Sequence, residues 1–379
     1  MELNLSPWLT AFATLLITFS FYFYSKSKKE NRKNLSKKFP LEASGGWPII
    51  GHLFLLSGPE PLHLTLSNMS DKYGPVFGIR LGNRRGLIVN TWETAKEVYK
   101  TNDAALSYRP QNAALRLMGY NFATVGFSND ALYWREIRKV SVLKFLSKRK
   151  VAMHGDVRKR EIMQAIRSVN ECYYIKKVDI IDMRKVFWDF TVNLMARTVA
   201  GDVSAEKMGS EERGKWQEIV REFFKTMIVF TISDVVPWLK WVDYFGGMHH
   251  NGFKETGKSF DDMLEAWLEE HKEQKKKVRG DGEEELEEDF MGELLSVADC
   301  VAHKFPVFDA DTITKATCQV SGFALSAMQL ALASFLHGFD IETASGEAVD
   351  MTGSFGSTNM KATPLEVCLR PRLSYELYV

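Results

Sequence analysis

Apolar side chains recur at helical spacing over most of the chain, and this periodicity predicts a mainly helical fold. The predicted helices cover 61–73, 91–100, 130–148, 149–170, 181–200, 211–229, 255–279, 287–302 and 320–339. Residues 76–81 and 86–90 instead read as short strands on either side of Gly82, which predicts a hairpin, and 362–369 predicts a further strand. We therefore expect a mainly α fold with a small β-sheet region.

Two segments interrupt this helical pattern. Residues 107–128 form a long irregular stretch that contains Arg109-Pro110 and two glycines, and a loop of that length in a compact domain is usually functional. Residues 271–289 carry a basic block followed by an acidic one. Blocks of this kind predict a solvated loop between helices.

The first apolar run is followed, not preceded, by basic residues. Residues 7–24 carry no charge and approach the ~20 residues that a membrane span needs. Seven Lys and Arg side chains lie within residues 26–38. A cleaved signal peptide has its charges before the apolar core, so we favour an uncleaved anchor with the bulk of the chain in the cytosol.

Composition narrows the possible partners and cofactors. The formal net charge is +1, whereas a nucleic-acid surface needs a strong basic excess, so we expect no nucleic-acid partner. Cys172, Cys300, Cys318 and Cys368 are far apart and form no CxxC pair, which argues against a disulfide framework and a structural zinc site. We expect all four to be small buried side chains in a reducing compartment.

The clearest candidate for ligand binding is the pair Trp134 and Arg138. The two residues are four apart in a predicted helix and therefore share a face. An indole N–H beside a guanidinium offers two donors to a ligand carboxylate. Such a pair is equally ordinary as packing beside a surface charge, so the spacing alone leaves both interpretations open.

Several segments then follow one another in a set order. They are the apolar anchor, the basic run, Gly46-Trp47-Pro48-Ile49-Ile50-Gly51, Asp71-Lys72-Tyr73-Gly74-Pro75-Val76-Phe77, Arg109-Pro110, Trp134-Arg135-Glu136-Ile137-Arg138 and, near the other end, 332–339. This order resembles the membrane-bound cytochrome P-450 monooxygenases of plant secondary metabolism, and within them the nicotine-demethylase-like branch. The resemblance extends over essentially the whole chain, and the order of the segments carries it.

The resemblance implies a cytochrome P-450 fold, a single N-terminal transmembrane helix and a heme whose iron is held by a cysteine thiolate. It implies that Trp134 and Arg138 donate hydrogen bonds to the heme propionates. The residues that it implies as lining the substrate cavity are Leu117, Phe122, Phe355 and Thr358. It also implies three partners, namely the endoplasmic reticulum membrane, an NADPH-cytochrome reductase and a small lipophilic substrate.

The family's heme-ligand motif is missing from this sequence. That motif is Phe-x-x-Gly-x-Arg-x-Cys-x-Gly, and none of the four cysteines has Phe, Gly or Arg at the matching positions.

The family's oxygen-handling motif is missing too, because Phe308 and Asp309 stand where small residues belong. We interpret residues 310–312, which follow them, as the capped start of a helix. Glu218 and Arg221 have the family's Glu-x-x-Arg spacing, but we interpret them as an ordinary exposed pair. We therefore assign no catalytic residue and no metal ligand.

One internal deletion between about Gln319 and Val320 explains these absences together. Residues 309–319 resemble the start of the family's long oxygen-handling helix, and 320–339 resemble the helix that follows the heme cysteine, which we expect to be a core helix and not a second span. The predicted organisation is an anchor at 1–25, a basic stop and Pro/Gly hinge at 26–52, and two parts of one incomplete domain at 53–319 and 320–379. We expect the hairpin strands to lose sheet partners and expose an edge.

Two functions follow from this sequence. The first is a heme-thiolate monooxygenase that oxidises a small lipophilic metabolite, present here as a deletion form without activity. The alternative is a non-catalytic, membrane-anchored product of splicing, of an incorrect gene prediction or of a pseudogene. Heme loss is expected in either case, because the iron ligand is absent and the chemistry belongs to the cofactor.

Overall fold

The computed structural model describes residues 14, 18, 19, 22, 40–56, 58, 60–227, 229, 231–236, 248–281, 289–319, 324–354 and 360–378. These residues are mainly helical with small sheets, as the sequence predicted. The chain divides into two compact units, residues 1–107 with 232–242 and residues 108–231 with 243–379.

The helices, in chain order, are α1 (Leu53–Leu56), α2 (Leu62–Tyr73), α3 (Trp92–Lys96), α4 (Asp103–Leu106), α5 (Ala113–Met118), α6 (Ala131–Ser141), α7 (Lys148–Met153), α8 (Gly155–Tyr174), α9 (Met183–Lys207), α10 (Ser210–Thr226), α11 (Ile232–Val235), α12 (Met248–Asp281), α13 (Phe290–Lys304), α14 (Ala310–Cys318) and α15 (Ala324–Gly338). Single π-helical turns follow α3 at Glu97–Thr101 and α6 at Val142–Leu146, and a 3₁₀ turn spans Tyr375–Leu377.

The first unit is built around the predicted hairpin. β1 (Val76–Leu81) pairs antiparallel with β2 (Arg84–Val89). In the turn between them Gly82 has a φ of +57°, and a Cβ at that position would lie 2.4 Å from the backbone oxygen of Val235. Glycine is therefore required in this turn, both for its backbone conformation and for the close approach of α11.

The Pro/Gly-rich segment before the hairpin covers the outer edge of β1. The Gly78 N–H donates to the Leu41 carbonyl at 2.8 Å, and the Gly78 carbonyl accepts from the Ala43 N–H at 2.8 Å. Further along, the N–H of the buried His52 donates to the Arg80 carbonyl at 2.7 Å. The predicted exposed edge is therefore wrong for β1, because main-chain bonds to this segment occupy it.

The second unit contains the largest apolar core, where aromatic side chains of α10 and α12 interlock. Trp216 and Phe223 of α10 pack on Phe260 of α12 with ring centroids 5.6 and 4.5 Å apart. Trp267, two turns further along α12, lies 5.1 Å from Trp216. These ring contacts add to the burial of apolar area and hold α10 against α12.

A small antiparallel sheet closes the other side of the second unit. β3 (Ile180–Asp182), β4 (Phe339–Thr343) and β5 (Glu366–Pro371) lie in the order β3–β5–β4. Phe335 of α15 and Ile166 of α8 belong to the apolar cluster that packs against this sheet. The sequence predicted the region of β5 but missed β3 and β4, which are short or follow a helix directly.

Only one face of α15 is covered among the described residues. Ala331 and Phe335 are buried, whereas Met328, Leu332 and Leu336, spaced four apart on another face, are 59%, 58% and 51% exposed. The predicted core helix is thus half buried. Its first predicted residues, 320–323, lie outside the described residues.

Several finer predictions need correction. The irregular segment 107–128 contains the helix α5, because Asn112 caps it by accepting a hydrogen bond from the Leu115 N–H at 2.7 Å. The predicted charged loop 271–289 is helical as far as Asp281, so its basic block lies on the last turns of α12.

The prediction for the cysteines holds for one of the four. Cys318 is buried in the large core, Cys172 and Cys368 are partly exposed, and Cys300 is exposed on α13. Cys300 faces solvent because it lies on the polar side of an amphipathic helix, which a lone cysteine in the sequence does not reveal.

The predicted membrane anchor, 7–24, lies almost entirely outside the described residues. Where the structure does describe the chain, none of its helices is both long enough and apolar enough to cross a bilayer. The predicted substrate-lining residues Phe355 and Thr358 also lie outside the described residues.

Candidate functional site

The candidate site is organised by α6, whose start is fixed by a side-chain cap. Asp130 Oδ1 accepts hydrogen bonds from the N–H groups of Leu132 and Tyr133, both at 3.0 Å. An acidic cap also complements the positive end of the helix dipole. The direction of every later side chain on α6 follows from this starting point.

One face of α6 is buried against α13 and α14. Tyr133 and Ile137, four residues apart, form an apolar cluster with Val301 and Ile313. The Tyr133 hydroxyl donates to the Ala123 carbonyl at 2.8 Å, and burial raises the pKa of this hydroxyl well above its usual range. This face therefore holds α6 in place.

Trp134 and Arg138 lie together on a neighbouring face, as their spacing predicted. The Arg138 guanidinium carbon is 4.8 Å from the centroid of the Trp134 ring, which is a cation–π contact. The indole N–H donates to the Val125 carbonyl at 2.9 Å. In this structure the indole donor is thus occupied by the main chain, whereas Arg138 is exposed and has no carboxylate partner among the described residues.

Glu136 links α6 to the end of α13. Its carboxylate lies 2.5 Å from the Lys304 ammonium. The hydrogen bond and charge of Lys304 hold the pKa of Glu136 below its usual range. Because the pair is on the surface, we regard it as a minor contribution to stability.

A cleft of about 430 Å³ opens beside the buried face of α6. It is lined by Gln111, Arg116, Asn121, Phe122, Ser128, Asn129, Asp130, Tyr133, Phe305, Val307 and Phe308. Its walls come from α5 and the segments on either side of it, from the start of α6 and from the connection between α13 and α14. A cleft of this size is within the range that small-molecule sites occupy.

A partly buried polar network holds the loop that forms one wall of this cleft. The Tyr120 hydroxyl donates to Asp261 at 2.7 Å, and the Lys315 ammonium lies 2.7 Å from the same carboxylate oxygen and 2.6 Å from Glu265. Burial and then the hydrogen bond to Asp261 raise the pKa of Tyr120, so its hydroxyl keeps the proton that it donates. Nearby, the Gln319 amide donates to the Met118 carbonyl at 3.0 Å.

The predicted site residues do not all meet in one place. Phe122 lines the cleft, whereas Leu117 packs against the large core. Trp134 and Arg138 lie together, but neither of them lines the cleft. Leu117 and Phe122 are thus five residues apart in sequence and face different surroundings, because the chain turns sharply between them.

The surroundings of Cys318 do not suit an iron ligand. Cys318 lies in the apolar core, where burial raises the pKa of its thiol well above the usual value and disfavours the thiolate. Within the described part of the chain, no three His, Cys, Asp or Glu side chains form a group that could hold a metal ion.

Sequence reasoning missed the network around Tyr120 and Lys315. Asp261 and Glu265 are four residues apart in a predicted helix, and that spacing signals a shared acidic face. Nothing in the sequence pairs this face with Lys315, some fifty residues later. Likewise, Arg116 lies in a segment that the sequence assigned to a loop.

Comparison with known proteins agrees with the resemblance. The sequence profile of the family described as cytochrome P-450 matches residues 41–320. Strychnine-10-hydroxylase of Strychnos nux-vomica is 37% identical over 311 residues, which cover 80% of this chain and 57% of that protein. Xanthotoxin 5-hydroxylase of Arabidopsis thaliana is 35% identical over 319 residues, with 81% and 59% covered.

Demethylepipodophyllotoxin synthase of Sinopodophyllum hexandrum is a third similar protein, 36% identical over 304 residues, with 78% of this chain and 56% of the synthase covered. The chain therefore spans somewhat more than half of the length of these relatives.

Proposed function

Because this chain belongs to the cytochrome P-450 family of plants, we propose that it is a shortened form of a heme-thiolate monooxygenase and that this form has no monooxygenase activity. The relatives named above are hydroxylases and a synthase of plant metabolites. The ancestral reaction that we propose is accordingly the oxidation of a small lipophilic metabolite of secondary metabolism.

The main observation that supports this proposal is the lack of a suitable cysteine thiolate. The matching motif is absent around all four cysteines, and the most buried of them, Cys318, lies in an apolar core that favours its protonated thiol. A cytochrome P-450 needs a deprotonated cysteine on the iron. We derive no reaction step through heme for this chain, because its cysteines do not fit that role.

We propose that the propionate-binding side of the ancestral heme site is retained in part. Arg138 is exposed and without a carboxylate partner among the described residues, so it is free to bind a propionate. The Trp134 N–H would have to leave the Val125 carbonyl to do the same. Trp134 and Arg138 remain our proposed propionate donors in the full-length relatives' fold, and an ancestral role explains why the pair persists here.

The proposed location and partners follow the family. We propose that residues 7–24 anchor the chain in the endoplasmic reticulum membrane and that the ancestral enzyme received electrons from an NADPH-cytochrome reductase. Phe122, Phe355 and Thr358 remain proposed substrate-lining residues of that enzyme, and Leu117 is a weaker candidate because it packs in the core.

A reduced carbon-monoxide difference spectrum tests the proposal. The full chain is expressed beside a full-length relative in the same host, and membranes from both are reduced and exposed to carbon monoxide. We expect a thiolate-type Soret band from the relative and none from this chain. A pyridine hemochromogen assay on the purified chain measures heme content independently, and we expect no stoichiometric heme.

A thiolate-type band from this chain would contradict the proposal. Replacing each cysteine by serine would then identify the ligand. The alternative, in which the chain is a product of splicing or of an incorrect gene prediction, is tested separately by sequencing the gene between the codons for Gln319 and Val320. A coding block with the Phe-x-x-Gly-x-Arg-x-Cys-x-Gly motif at that position would support it.

A further inference from the structure

The cleft beside α6 has the features of a ligand site that is separate from the Trp134–Arg138 face. Tyr133 lines the cleft, and Trp134, the next residue, is rotated by about 100° around the helix axis. Asp130 at the start of α6 is the other α6 contribution to the cleft edge. The cleft is therefore formed by different residues from the proposed propionate donors, and its properties do not depend on heme.

The apolar lining of the cleft is aromatic except for Val307. Phe122, Tyr133, Phe305 and Phe308 all contribute to its walls. The Tyr133 ring lies 5.5 Å from the Phe305 ring and 5.0 Å from the Phe308 ring, with interplanar angles of 80° and 48°. Rings that meet at such angles present both edges and faces, an arrangement that suits a planar aromatic guest.

One wall of the cleft is a strained turn. Tyr120, Asn121 and Phe122 have φ values of +50°, +52° and +67°, so three successive non-glycine residues adopt the left-handed conformation. Such residues are strained and persist only where the surroundings impose this conformation. Here the Tyr120 hydroxyl is fixed by Asp261, which in turn binds Lys315. These contacts thus hold the strained turn, and with it Asn121 and Phe122, at the cleft before any ligand arrives.

The charge in the cleft favours an anion. Arg116 and Asp130 are the two charged residues that line it. The Asp130 carboxylate already accepts two N–H groups at the positive end of α6, which offset its charge. No carboxylate of the described residues pairs with Arg116. The guanidinium is therefore the charge left for a ligand, and its planar fork matches a carboxylate.

We propose that this cleft binds a planar aromatic carboxylate, with the ring between Phe122 and the Tyr133–Phe308 wall and the carboxylate on Arg116. Asn121 and Gln111 supply further polar contacts at the rim. The same cleft binds purely aliphatic acids less well, because they make no ring–ring contact, and neutral aromatics less well, because they leave Arg116 without an anion.

Isothermal titration of the purified full chain with 2-naphthoate tests this proposal. The neutral analogue 2-naphthalenemethanol is titrated in parallel. Arg116→Gln removes the charge and keeps a polar side chain of moderate length, and the exposed Arg149, which does not line the cleft, provides the control Arg149→Gln. Phe308→Leu is the second variant, because it removes one ring and keeps an apolar side chain.

We expect 2-naphthoate to bind saturably to one site. The neutral alcohol should bind with an affinity at least about tenfold lower. Arg116→Gln should weaken naphthoate binding by about tenfold, and Arg149→Gln should leave it unchanged. Phe308→Leu should weaken both probes by a similar factor. Rising salt should weaken the naphthoate more than the alcohol.

Three outcomes would overturn the proposal. One is the absence of saturable naphthoate binding to the wild-type chain at millimolar concentration. Another is equal affinity of the wild type and Arg116→Gln, and the third is equal affinity for naphthoate and the alcohol, which would indicate a non-specific apolar surface. Because the titration uses protein without added heme, its outcome is independent of the carbon-monoxide spectrum.

Discussion

His271 joins the last turns of α12 to the start of α13 through both of its ring nitrogens. Its Nε2 is 2.6 Å from Asp289 Oδ2, and its Nδ1 is 2.6 Å from the Trp267 carbonyl oxygen. Both partners are hydrogen-bond acceptors, an arrangement that favours the doubly protonated ring. Burial alone would lower the pKa of His271. The hydrogen bond and charge of Asp289, followed by the hydrogen bond to the Trp267 carbonyl and the charge of Glu270, outweigh burial and raise the pKa above its usual value of 6.5.

This arrangement predicts that stability falls as the pH rises above neutrality. Because the folded-state pKa of His271 exceeds the unfolded one, the stabilisation is fully present below the unfolded pKa and is lost as the pH rises through the folded pKa. Urea midpoints measured from pH 6 to pH 9 should decrease for the wild type. His271→Gln should flatten this decrease, and an unchanged slope in that variant would assign the effect to other groups.

The hydrogen bond of Trp134 predicts a second measurable effect. Trp134→Phe keeps an aromatic ring but leaves the Val125 carbonyl without its donor. Trp188→Phe is the matched control, because the indole N–H of Trp188 is buried without a hydrogen-bond partner among the described residues. We expect Trp134→Phe to lower the free energy of unfolding by about 1 kcal/mol more than Trp188→Phe does. Equal losses in urea titrations would show that the Val125 bond contributes nothing.

At this scale the sequence predicts which residues share a helix face and little else. The spacing of Trp134 and Arg138 predicted their contact, because an α-helix brings residues four apart together. The acceptor of the indole proton could not be predicted, because Val125 lies in an irregular loop whose carbonyl directions depend on tertiary packing. The same holds for Lys315, whose partners Asp261 and Glu265 lie on another helix.

Among the secondary-structure elements, α15 gives the sharpest contrast between two sides of one helix. Phe335 is buried against the sheet cluster, and Leu332, three residues earlier, is 58% exposed. Phe335→Ala should lower the free energy of unfolding by about 3–5 kcal/mol, since it removes a buried aromatic ring. Leu332→Ala should change it by less than about 0.5 kcal/mol.

Chemical denaturation of the two α15 variants measures both effects. A large loss in Leu332→Ala would mean that its side of the helix is covered in solution. In that case another part of the protein, or another molecule, would cover the row formed by Met328, Leu332 and Leu336.

The sequence predicts long elements well and short ones poorly. Ten or more residues of helical periodicity identified α2, α6, α8, α9, α10, α12 and α13. Their ends shifted by several residues where local caps or kinks decide, as at Gly201 in α9, which has a φ of +79° and lies too close to Asp289 for a Cβ. β3 has three residues and is formed by pairing with β5, a distant partner that no local pattern reveals.

For the molecule as a whole, the exposed side of α15 predicts low resistance to proteolysis. Because one row of apolar side chains on α15 is exposed, the helix gains less free energy from burial than a fully covered helix would. Local opening of α15 therefore costs less free energy. Under identical native conditions trypsin should digest this chain faster than a full-length relative. Equal half-lives in a time course on gels would contradict this expectation.

Fold class and family could be predicted at this scale, because the order of segments along the chain specifies them. The division into two compact units could not, since residues 232–242 belong with the first unit although they follow more than a hundred residues of the second. That assignment rests on contacts such as the one between Gly82 and Val235, which are invisible before folding.

The strand order β3–β5–β4 has a consequence for synthesis on the ribosome. The middle strand is the last of the three to be made, roughly 180 residues after β3. At a usual translation rate this is a delay on the order of 10–40 s, during which β3 has no strand to pair with. The nascent chain therefore emerges with Ile181 uncovered, a side chain that packs in the sheet cluster once β5 is in place. Chaperones that recognise extended apolar segments have that interval in which to bind it.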